Sequence, residues 1–299
     1  MQNLLTFRKL FWLCSFILTL ASCKDDQIDQ ASGSLSLLSY NVAGLPQSIS
    51  SSDPEKYMSL ISPSLNDFDV VHVQEDFCYH DSLLLYLDLP YRSEPTPCIG
   101  SGLNSFSKYP IKDFERVAWT DCTLADCFSL KGFSYSKIEV AKDIYIDFYN
   151  VHCNAGSSEE SKAARRKNLE QLITYMQVHS PSNAIVIMGD FNNKYIREGD
   201  SIRAFLDLGF TDAWIELIRQ DDIPQMNNIP LEDCYPISTS ISCEGVDKLL
   251  YRSNDEMKLK AISFQYGDDN RFFFEGNDTL PLSDHEPLMV QMSFDFNRK

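Results

Sequence analysis

Five short runs of the chain each place a polar residue at or just after the end of an apolar, strand-like stretch. Carboxylates, amides and histidines make up this set, and together they suit the hydrolysis of a phosphate ester. That reaction needs a cation to neutralise the phosphate, a base to activate water and donors to hold the oxyanion. The residues are Asn41, Glu75, His152, Asp190, Asn192, Asp284 and His285.

Glu75 is the predicted carboxylate ligand of a divalent metal. It follows the apolar run 70–74, so its side chain emerges where a strand ends and not within a solvated face. Mg²⁺ prefers oxygen ligands and is often held by one or two carboxylates together with water and phosphate. Asn41 is predicted to give the metal an amide oxygen or to donate to the phosphate, although an asparagine after a strand is usually a turn residue.

Asp190 and Asn192 follow the continuously apolar run 185–188, which is typical of a strand buried on both faces. Asp190 is predicted to position or polarise the attacking water, and Asn192 is predicted to donate to a phosphate oxygen. Gly189 permits a tight backbone turn before this pair. An Asx turn that closes the strand is the alternative interpretation of the same residues.

The histidines differ in what their positions predict. His152 ends another strand-like run and is predicted to donate to the phosphate and to stabilise developing charge. Strand alternation places His72 on the face opposite Glu75, which indicates a structural role. His80 and His179 are predicted to lie at the surface.

Segments rich in Val, Ile, Phe and Tyr and bounded by turn residues predict the strands. The clearest helix is predicted at 159–179, where apolar residues follow helical spacing. Ser157 with Glu160 forms a capping-box signature in front of it. Strand pairs with helices outside them predict an α+β sandwich of two packed sheets. The predicted strands are 35–42, 68–75, 102–106, 133–140, 144–152, 184–190, 246–251 and 288–294, and further helices are predicted at 57–66 and 200–210.

The N-terminus has the pattern of a targeting segment. Arg8 and Lys9 precede an apolar run that is short for a membrane anchor but suits a signal peptide. The run ends in Leu20-Ala21-Ser22-Cys23, which looks like a bacterial lipobox; an ordinary signal peptide with a chance cysteine is the alternative. Lys24-Asp25-Asp26 resembles a surface-export signal of lipoproteins. We therefore expect a signal peptide at 1–22, a lipidated Cys23 with a tether at 23–34, a catalytic domain at 35–299, and a location at the outer membrane or cell surface.

The chain has 9 cysteines, and export would allow disulfides to form. Cys122–Cys127 and Cys234–Cys243 are the predicted local pairs, and Cys78–Cys98 would fasten the loop after Glu75. Cys153 is then the odd thiol, and we interpret it as a buried apolar cysteine.

The formal net charge of −17 bears on the class of substrate. A nuclease that binds a polyanion normally has a positively charged surface, because contacts with phosphates dominate its affinity. The only basic cluster in the sequence is Arg165-Arg166-Lys167, on a predicted helix. The charge balance therefore argues against nucleic acid and favours a small substrate or one with a choline or other cationic group.

The order and the local sequences of these runs resemble the motifs of the endonuclease/exonuclease/phosphatase (DNase I-like) superfamily, and the resemblance covers residues 35–296. The resemblance implies a four-layer α+β sandwich of two packed mixed β-sheets with helices on the outer faces. It also implies that His285 is the general base, that Asp284 approaches the metal beside Glu75 and Asn41, and that Asp247 is the acid that orients His285. The implied cofactor is Mg²⁺, with Mn²⁺ or Co²⁺ as substitutes.

Two stretches, 126–133 and 149–168, resemble the sphingomyelinase-like branch of that superfamily. Its members cleave sphingomyelin to ceramide and phosphocholine, a phospholipase C-type reaction. Cys153-Asn154 departs from the acidic residue that often follows the histidine in this branch. A secreted nuclease or an inositol-phosphate phosphatase would use the same residues, whereas a non-catalytic binding protein would have lost one of them. We expect a monomer that acts on a phospholipid or other phosphodiester and has no nucleic-acid partner.

An aromatic run, Phe272-Phe273-Phe274, lies shortly before Asp284. Sphingomyelinase-like members can carry an aromatic hairpin in this interval that dips into the membrane. Aromatic rings favour the bilayer interface, so the run predicts membrane contact in addition to the lipid on Cys23. The alternative is that Phe272 and Phe274 fill the core and only Phe273 is exposed.

Overall fold

The computed structural model describes residues 29–50, 52–226, 242–267, 272–274 and 280–298. The predicted signal peptide at 1–22, Cys23 and Cys234 lie outside these residues. Among the helices that are described, none is long and apolar enough to cross a membrane.

The framework is built from strands. In chain order they are β1 (Gln30–Asn41), β2 (Val70–Gln74), β3 (Tyr91–Arg92), β4 (Asn104–Ser107), β5 (Ile111–Ala118), β6 (Gly132–Ala141), β7 (Ile144–His152), β8 (Ile185–Asp190), β9 (Thr211–Asp212), β10 (Asp247–Arg252), β11 (Met257–Tyr266), β12 (Phe273–Phe274), β13 (Leu280–Pro281) and β14 (Leu288–Asn297).

These strands form two mixed sheets of six strands and one small two-stranded sheet. The first sheet has the order β11-β14-β1-β2-β4-β3, and the second has the order β5-β6-β7-β8-β10-β9. Each large sheet contains one parallel pair, β1 with β2 and β7 with β8, among antiparallel neighbours. β12 pairs with β13. The α+β sandwich predicted from the sequence is therefore confirmed.

Helices are a minor part of the described chain. The longest begins at Glu159 and ends at His179, the bounds that its apolar spacing predicts. The predicted helix at 57–66 divides into a helix and a 3-10 turn, and the one at 200–210 is shorter than expected. The helices are α1 (Pro54–Ile61), α2 (His80–Leu83), α3 (Glu159–His179), α4 (Arg203–Asp207) and α5 (Ala213–Leu217), with 3-10 turns at Ser62–Asp67 and Leu124–Cys127.

Strand alternation divides the apolar interior into two clusters. Leu35 and Leu37 of β1 belong to the larger cluster, which fills the space between the sheets and continues under α3. Leu38 and Tyr40 point the other way and pack with residues of α1 on the outer face of the first sheet. Each fully buried large side chain contributes roughly 1.5–3 kcal/mol of transfer free energy, so both faces of β1 are held by burial.

Two long strands, β5 and β11, were not predicted from the sequence. Both lie at a sheet edge. One face of each carries exposed charged or polar residues, as is common for edge strands, so neither presents the continuous apolar run of β8.

Two of the three predicted disulfides lie within the described residues. Cys78–Cys98 and Cys122–Cys127 are both formed, as predicted. Cys153 is a free thiol and is buried. Cys243 is disulfide-bonded, and its predicted partner Cys234 lies outside the described residues.

The prediction that Phe272 contacts a membrane is wrong in this conformation. Phe272 is 1% exposed, and its ring meets that of Tyr40 edge-on with 5.1 Å between the centroids. The side chain therefore fills the core cluster on the outer face of the first sheet, as the alternative interpretation predicted for Phe272. The side chains of Phe273 and Phe274 lie outside what the structure describes.

The cap of α3 differs from the predicted capping box by one residue. Ser158, not Ser157, is the N-cap, and its hydroxyl accepts a hydrogen bond from the amide of Ser161. We predict that Ser158→Ala lowers the free energy of unfolding by about 0.5–2 kcal/mol, because an amide at the start of the helix loses its acceptor. Urea denaturation measures this, and Ser157→Ala, the matched control, should change stability by less than about 0.5 kcal/mol. Equal losses in both variants would contradict the assignment.

Candidate active site

The polar ends of six strands meet at one edge of the sandwich. Because β1 and β2 are parallel, their carboxyl ends lie together, and the same holds for β7 and β8. β14 and β10 run antiparallel to β1 and β8, so they begin at this edge. The topology therefore gathers residues that are far apart in the chain: Asn41, Glu75, His152, Asp190, Asp247 and His285.

The buried carboxylate of Asp190 lies at the centre of this group. Its Oδ2 accepts a hydrogen bond from Asn41 Nδ2 at 3.4 Å. The same oxygen is 3.4 Å from His152 Nε2 and 3.8 Å from His285 Nε2. Asp190 is only 1% exposed, so protein groups surround its carboxylate. One carboxylate thereby links both sheets.

Asn192 also contacts Asp190, in the manner of an Asx turn. Its backbone amide donates to Asp190 Oδ1 at 2.9 Å, and its own φ is +50°. Its side-chain amide donates to the carbonyl of Cys153 at 3.2 Å. The turn that the sequence left as an alternative is therefore present, and it places the Asn192 amide beside the end of β7.

His285 is oriented by two contacts. Its Nδ1 lies 2.9 Å from Asp247 Oδ2, which also accepts a hydrogen bond from the hydroxyl of Tyr266 at 3.2 Å. Its backbone amide donates to Ser283 Oγ at 3.2 Å, and that hydroxyl donates to the carbonyl of Asn41 at 2.6 Å. With its proton on Nδ1, the imidazole turns Nε2 toward Asp190.

Burial and neighbouring charges shift the pKa values of His285 and His152 in opposite directions. Burial disfavours the charged form of His285, but the carboxylates of Asp247 and Asp190 outweigh it and raise its pKa well above the ordinary value. Burial lowers the pKa of His152 well below its ordinary value, and the charge of Lys131 acts in the same direction. Burial also raises the pKa of Asp190 to about 6. His285 thus holds a proton strongly, while His152 stays neutral.

Glu75 reaches the site because the backbone is left-handed there, with φ +57°. Gln74 points between the sheets, where its Nε2 donates to Asn150 Oδ1 at 2.7 Å. Regular alternation would then send Glu75 to the opposite face. The left-handed turn reverses that direction and puts its Oε1 3.7 Å from His152 Nε2. Such a conformation costs a non-glycine residue roughly 1–2 kcal/mol and often marks a functional site.

The side chains that can hold a cation only partly coincide with the predicted ligands. Among the described residues, the ligand atoms of Asp190, Asp247 and His285 lie within 4.8 Å of one another. Asp247 Oδ2 already accepts hydrogen bonds from His285 and Tyr266. We therefore interpret Asp247 and His285 as an acid–histidine pair that borders a cation site.

The predicted ligands contact different members of the site. Asn41 turns its amide nitrogen to Asp190, and its Oδ1 accepts from the amide of Ala43 at 3.1 Å. Glu75 keeps 18% of its side chain exposed. Asp284 is partly buried, and its negative charge contributes to the raised pKa of His285.

Lys131 is a positive group near the site to which the sequence assigned no role. It is 8% exposed, and its Nζ is 2.8 Å from Asp126 Oδ1. Its charge acts on Asp190 and on His152. The only signal in the sequence was its place in the stretch 126–133 that resembles the sphingomyelinase-like branch.

The remaining histidines test the surface predictions. His72 is fully buried and meets Phe148 edge-on, which fits a structural role. His179 is exposed and stacks on Tyr175, as predicted for a surface residue. The prediction for His80 is wrong, because His80 is buried with its Nδ1 2.5 Å from the carboxylate of Asp76.

Comparison with known proteins bears on both the family and the fold. The model of endonuclease/exonuclease/phosphatase family 2 matches residues 55–230. The sphingomyelinase of Mycobacterium tuberculosis is 34% identical over 274 residues, which cover 88% of this chain and 53% of that protein. The chain thus spans about half the length of the curated relative.

Two solved structures show how widely the fold is shared. The beta toxin of Staphylococcus aureus, a mutant form with bound magnesium ions, has a TM-score of 0.59 at 18% identity, covering 89% of this chain and 100% of its own. TDP2 of D. rerio, complexed with a single-strand DNA product, has a TM-score of 0.61 at 15% identity, covering 87% and 99%. A toxin with bound magnesium ions and a protein bound to a DNA product therefore share this sandwich fold.

The contact between His285 and Asp247 yields a prediction that needs no substrate. Asp247→Asn should lower the pKa of His285, because the variant removes the negative charge that favours the imidazolium. A proton NMR titration of the metal-free protein measures this, with His285→Gln to assign the signal. Asp147→Asn changes another buried carboxylate and should leave the His285 signal where it was. An unchanged pKa in Asp247→Asn would contradict the assigned pairing.

Proposed function

Because this chain belongs to endonuclease/exonuclease/phosphatase family 2, we propose that it is a metal-dependent phosphodiesterase that cleaves sphingomyelin to ceramide and phosphocholine. The observation that carries the chemistry is the imidazole of His285, held by Asp247 and aimed at Asp190. The name of the 34% identical relative supports the choice of substrate.

The donor atoms suit a hard divalent cation. Glu75, Asn41 and Asp284 would hold it through carboxylate and amide oxygens, the ligands that Mg²⁺ prefers. Within the described chain, neither ring nitrogen of the buried His152 has a hydrogen-bond partner, which suits a phosphate oxygen beside the cation. A bound cation would neutralise phosphate charge and oppose the carboxylate charge that holds the proton on His285.

His285 is the proposed general base. Asp247 fixes the tautomer, so Nε2 is the atom that accepts a proton from the attacking water. Asp190, 3.8 Å from that nitrogen, would orient the water. Oxygen from water then bonds to phosphorus, and the bond from phosphorus to the ceramide oxygen breaks.

Several side chains would bind the phosphate and stabilise its negative charge during this step. Neutral His152 and the amide of Asn192 would donate to its oxygens, and Lys131 would offset the growing negative charge. The proton that His285 took from water passes to the ceramide oxygen, and ceramide leaves as an alcohol. Phosphocholine keeps the oxygen that came from water.

The charge distribution favours a lipid headgroup over a polynucleotide as the substrate. The basic cluster Arg165-Arg166-Lys167 is partly internal, because Arg165 is fully buried and pairs with Asp200 at 3.1 Å. Lys167 pairs with Asp121 at 2.6 Å. With a net charge of −17, the chain suits a substrate that carries the positive choline group.

A substrate panel with Mg²⁺ tests this proposal: sphingomyelin, phosphatidylcholine, DNA and inositol phosphates. We predict phosphocholine release from sphingomyelin that EDTA abolishes. His285→Ala should lower turnover by roughly 10²–10⁴-fold, the usual cost of losing a positioned base. His179→Ala, at an exposed histidine outside the site, should match the wild type. Full activity in His285→Ala, or hydrolysis of DNA alone, would refute the proposal.

We also propose that the chain is a lipoprotein anchored at Cys23 at the outer membrane or cell surface. Its support is the sequence Leu20-Ala21-Ser22-Cys23 after the apolar run. Mass spectrometry of protein from the native host should find a mature N-terminus at Cys23 that carries lipid, and Cys23→Ala should abolish the modification. An unmodified mature protein that begins at another residue would contradict the anchor.

A further inference from the structure

The left-handed conformation at Glu75 must be imposed by its surroundings, because the chain disfavours it locally. Three backbone contacts hold it, one of them from the amide of Phe77 to the carbonyl of Glu75 at 2.9 Å. The amide of Gly44 donates to the carbonyl of Glu75 at 2.9 Å, and the amide of Asp76 donates to the carbonyl of Gly102 at 3.0 Å. A Cβ atom at position 44 would lie 2.5 Å from the Glu75 carbonyl oxygen, so only glycine allows this approach.

The side chain of Asp76 anchors the same turn from the other side. Its carboxylate is fully buried, and its Oδ2 accepts hydrogen bonds from His80 Nδ1 at 2.5 Å and from Asn104 Nδ2 at 2.7 Å. His80 belongs to α2, and Asn104 begins β4. The residue after Glu75 is thus tied to two separate elements.

A further set of contacts ties this anchor to the second sheet. Asn104 Oδ1 accepts a hydrogen bond from Arg116 Nη2 at 2.6 Å. Arg116 lies in β5, and its Nε donates to the carbonyl of Leu103 at 2.9 Å. Residues of both sheets therefore hold the turn that carries Glu75, and its conformation does not depend on contacts within the loop alone.

We infer that Asp76, held by His80 and Asn104, is the positioning residue that presents Glu75 to the divalent cation. The inference rests on the proposed metal-dependent function, since it assigns Asp76 a part in that site. Asp76 does not itself touch the cation. It acts through the backbone, because a released turn would let Glu75 return to the face that strand alternation dictates.

The acid is needed at position 76 because one oxygen serves two donors. An asparagine there keeps the size of the side chain but has neither the charge nor the full acceptor strength for His80 and Asn104. His80→Gln replaces the imidazole donor by an uncharged amide of different shape and leaves Asp76 in place. Both changes should loosen Glu75 without removing its carboxylate.

Calorimetric titration of the intact, metal-free protein with Mn²⁺ tests the inference without any substrate. We expect Asp76→Asn and His80→Gln to raise the Kd for Mn²⁺ by about 10–100-fold, the usual cost of removing a group that orients a metal ligand. Glu75→Gln, which loses the ligand itself, sets the upper limit of the effect. His80→Gln keeps the test decisive should Asp76→Asn fail to fold.

Asp147→Asn is the matched control. Asp147 is also fully buried, and its carboxylate accepts hydrogen bonds from Ser180 at 2.5 Å and Asn183 at 2.7 Å. It should lower the melting temperature and leave the Kd for Mn²⁺ at the wild-type value.

The outcomes separate the two proposals. A Kd in Asp76→Asn and His80→Gln within about twofold of wild type, or a rise no larger than that of Asp147→Asn, would overturn the positioning role while Glu75→Gln still loses binding. A wild-type protein that binds no Mn²⁺ would instead overturn the metal-dependent function itself.

Discussion

The buried carboxylate of Asp190 is the constraint on which the rest of the site depends. It is contacted by Asn41 from the first sheet, by His152 from its own sheet and by His285 from the segment before β14. A buried acid without such partners would be expensive, so these groups must stay close for the fold to be stable. The packing of the two sheets and the geometry of the site therefore cannot vary independently.

This arrangement concentrates negative charge in the interior. Asp190, Asp247 and Glu75 are set against few positive groups, of which His285 and Lys131 lie nearest. A proton on His285 is one way to balance them, and a divalent cation is another. The same residues thus suit both a metal-free state that keeps His285 charged and a metal-bound state in which His285 can act as a base.

Local sequence pattern predicts much of the fold, because strand ends, helical spacing and short cysteine separations are recorded over a few residues. The bounds of α3 and the Cys122–Cys127 pair show this. Local sequence pattern does not predict a conformation that contacts with distant residues impose. Alternation cannot predict the direction of Glu75, since Gly44 and Gly102 impose its backbone conformation.

The polar interior was equally hard to predict. His80 is a polar residue in a loop-rich stretch, and its burial depends on the acid of Asp76 and on the stacked ring of Phe106. Lys131 lies directly before β6, after a turn at Leu130 where φ is +46°, and the sequence shows no apolar run that ends at this residue. The types and positions of Glu75 and Asn192 were recognisable from the sequence, whereas the left-handed turns that direct them needed the structure.

The central claim is that water attacks phosphorus at a site built around Asp190 and His285. Hydrolysis of sphingomyelin in water labelled with heavy oxygen, followed by mass spectrometry of both products, tests it most directly. Attack of water at phosphorus should place one labelled oxygen in phosphocholine and none in ceramide. Label in ceramide, or products without label, would show that the bond from phosphorus to the ceramide oxygen is not the one that water cleaves.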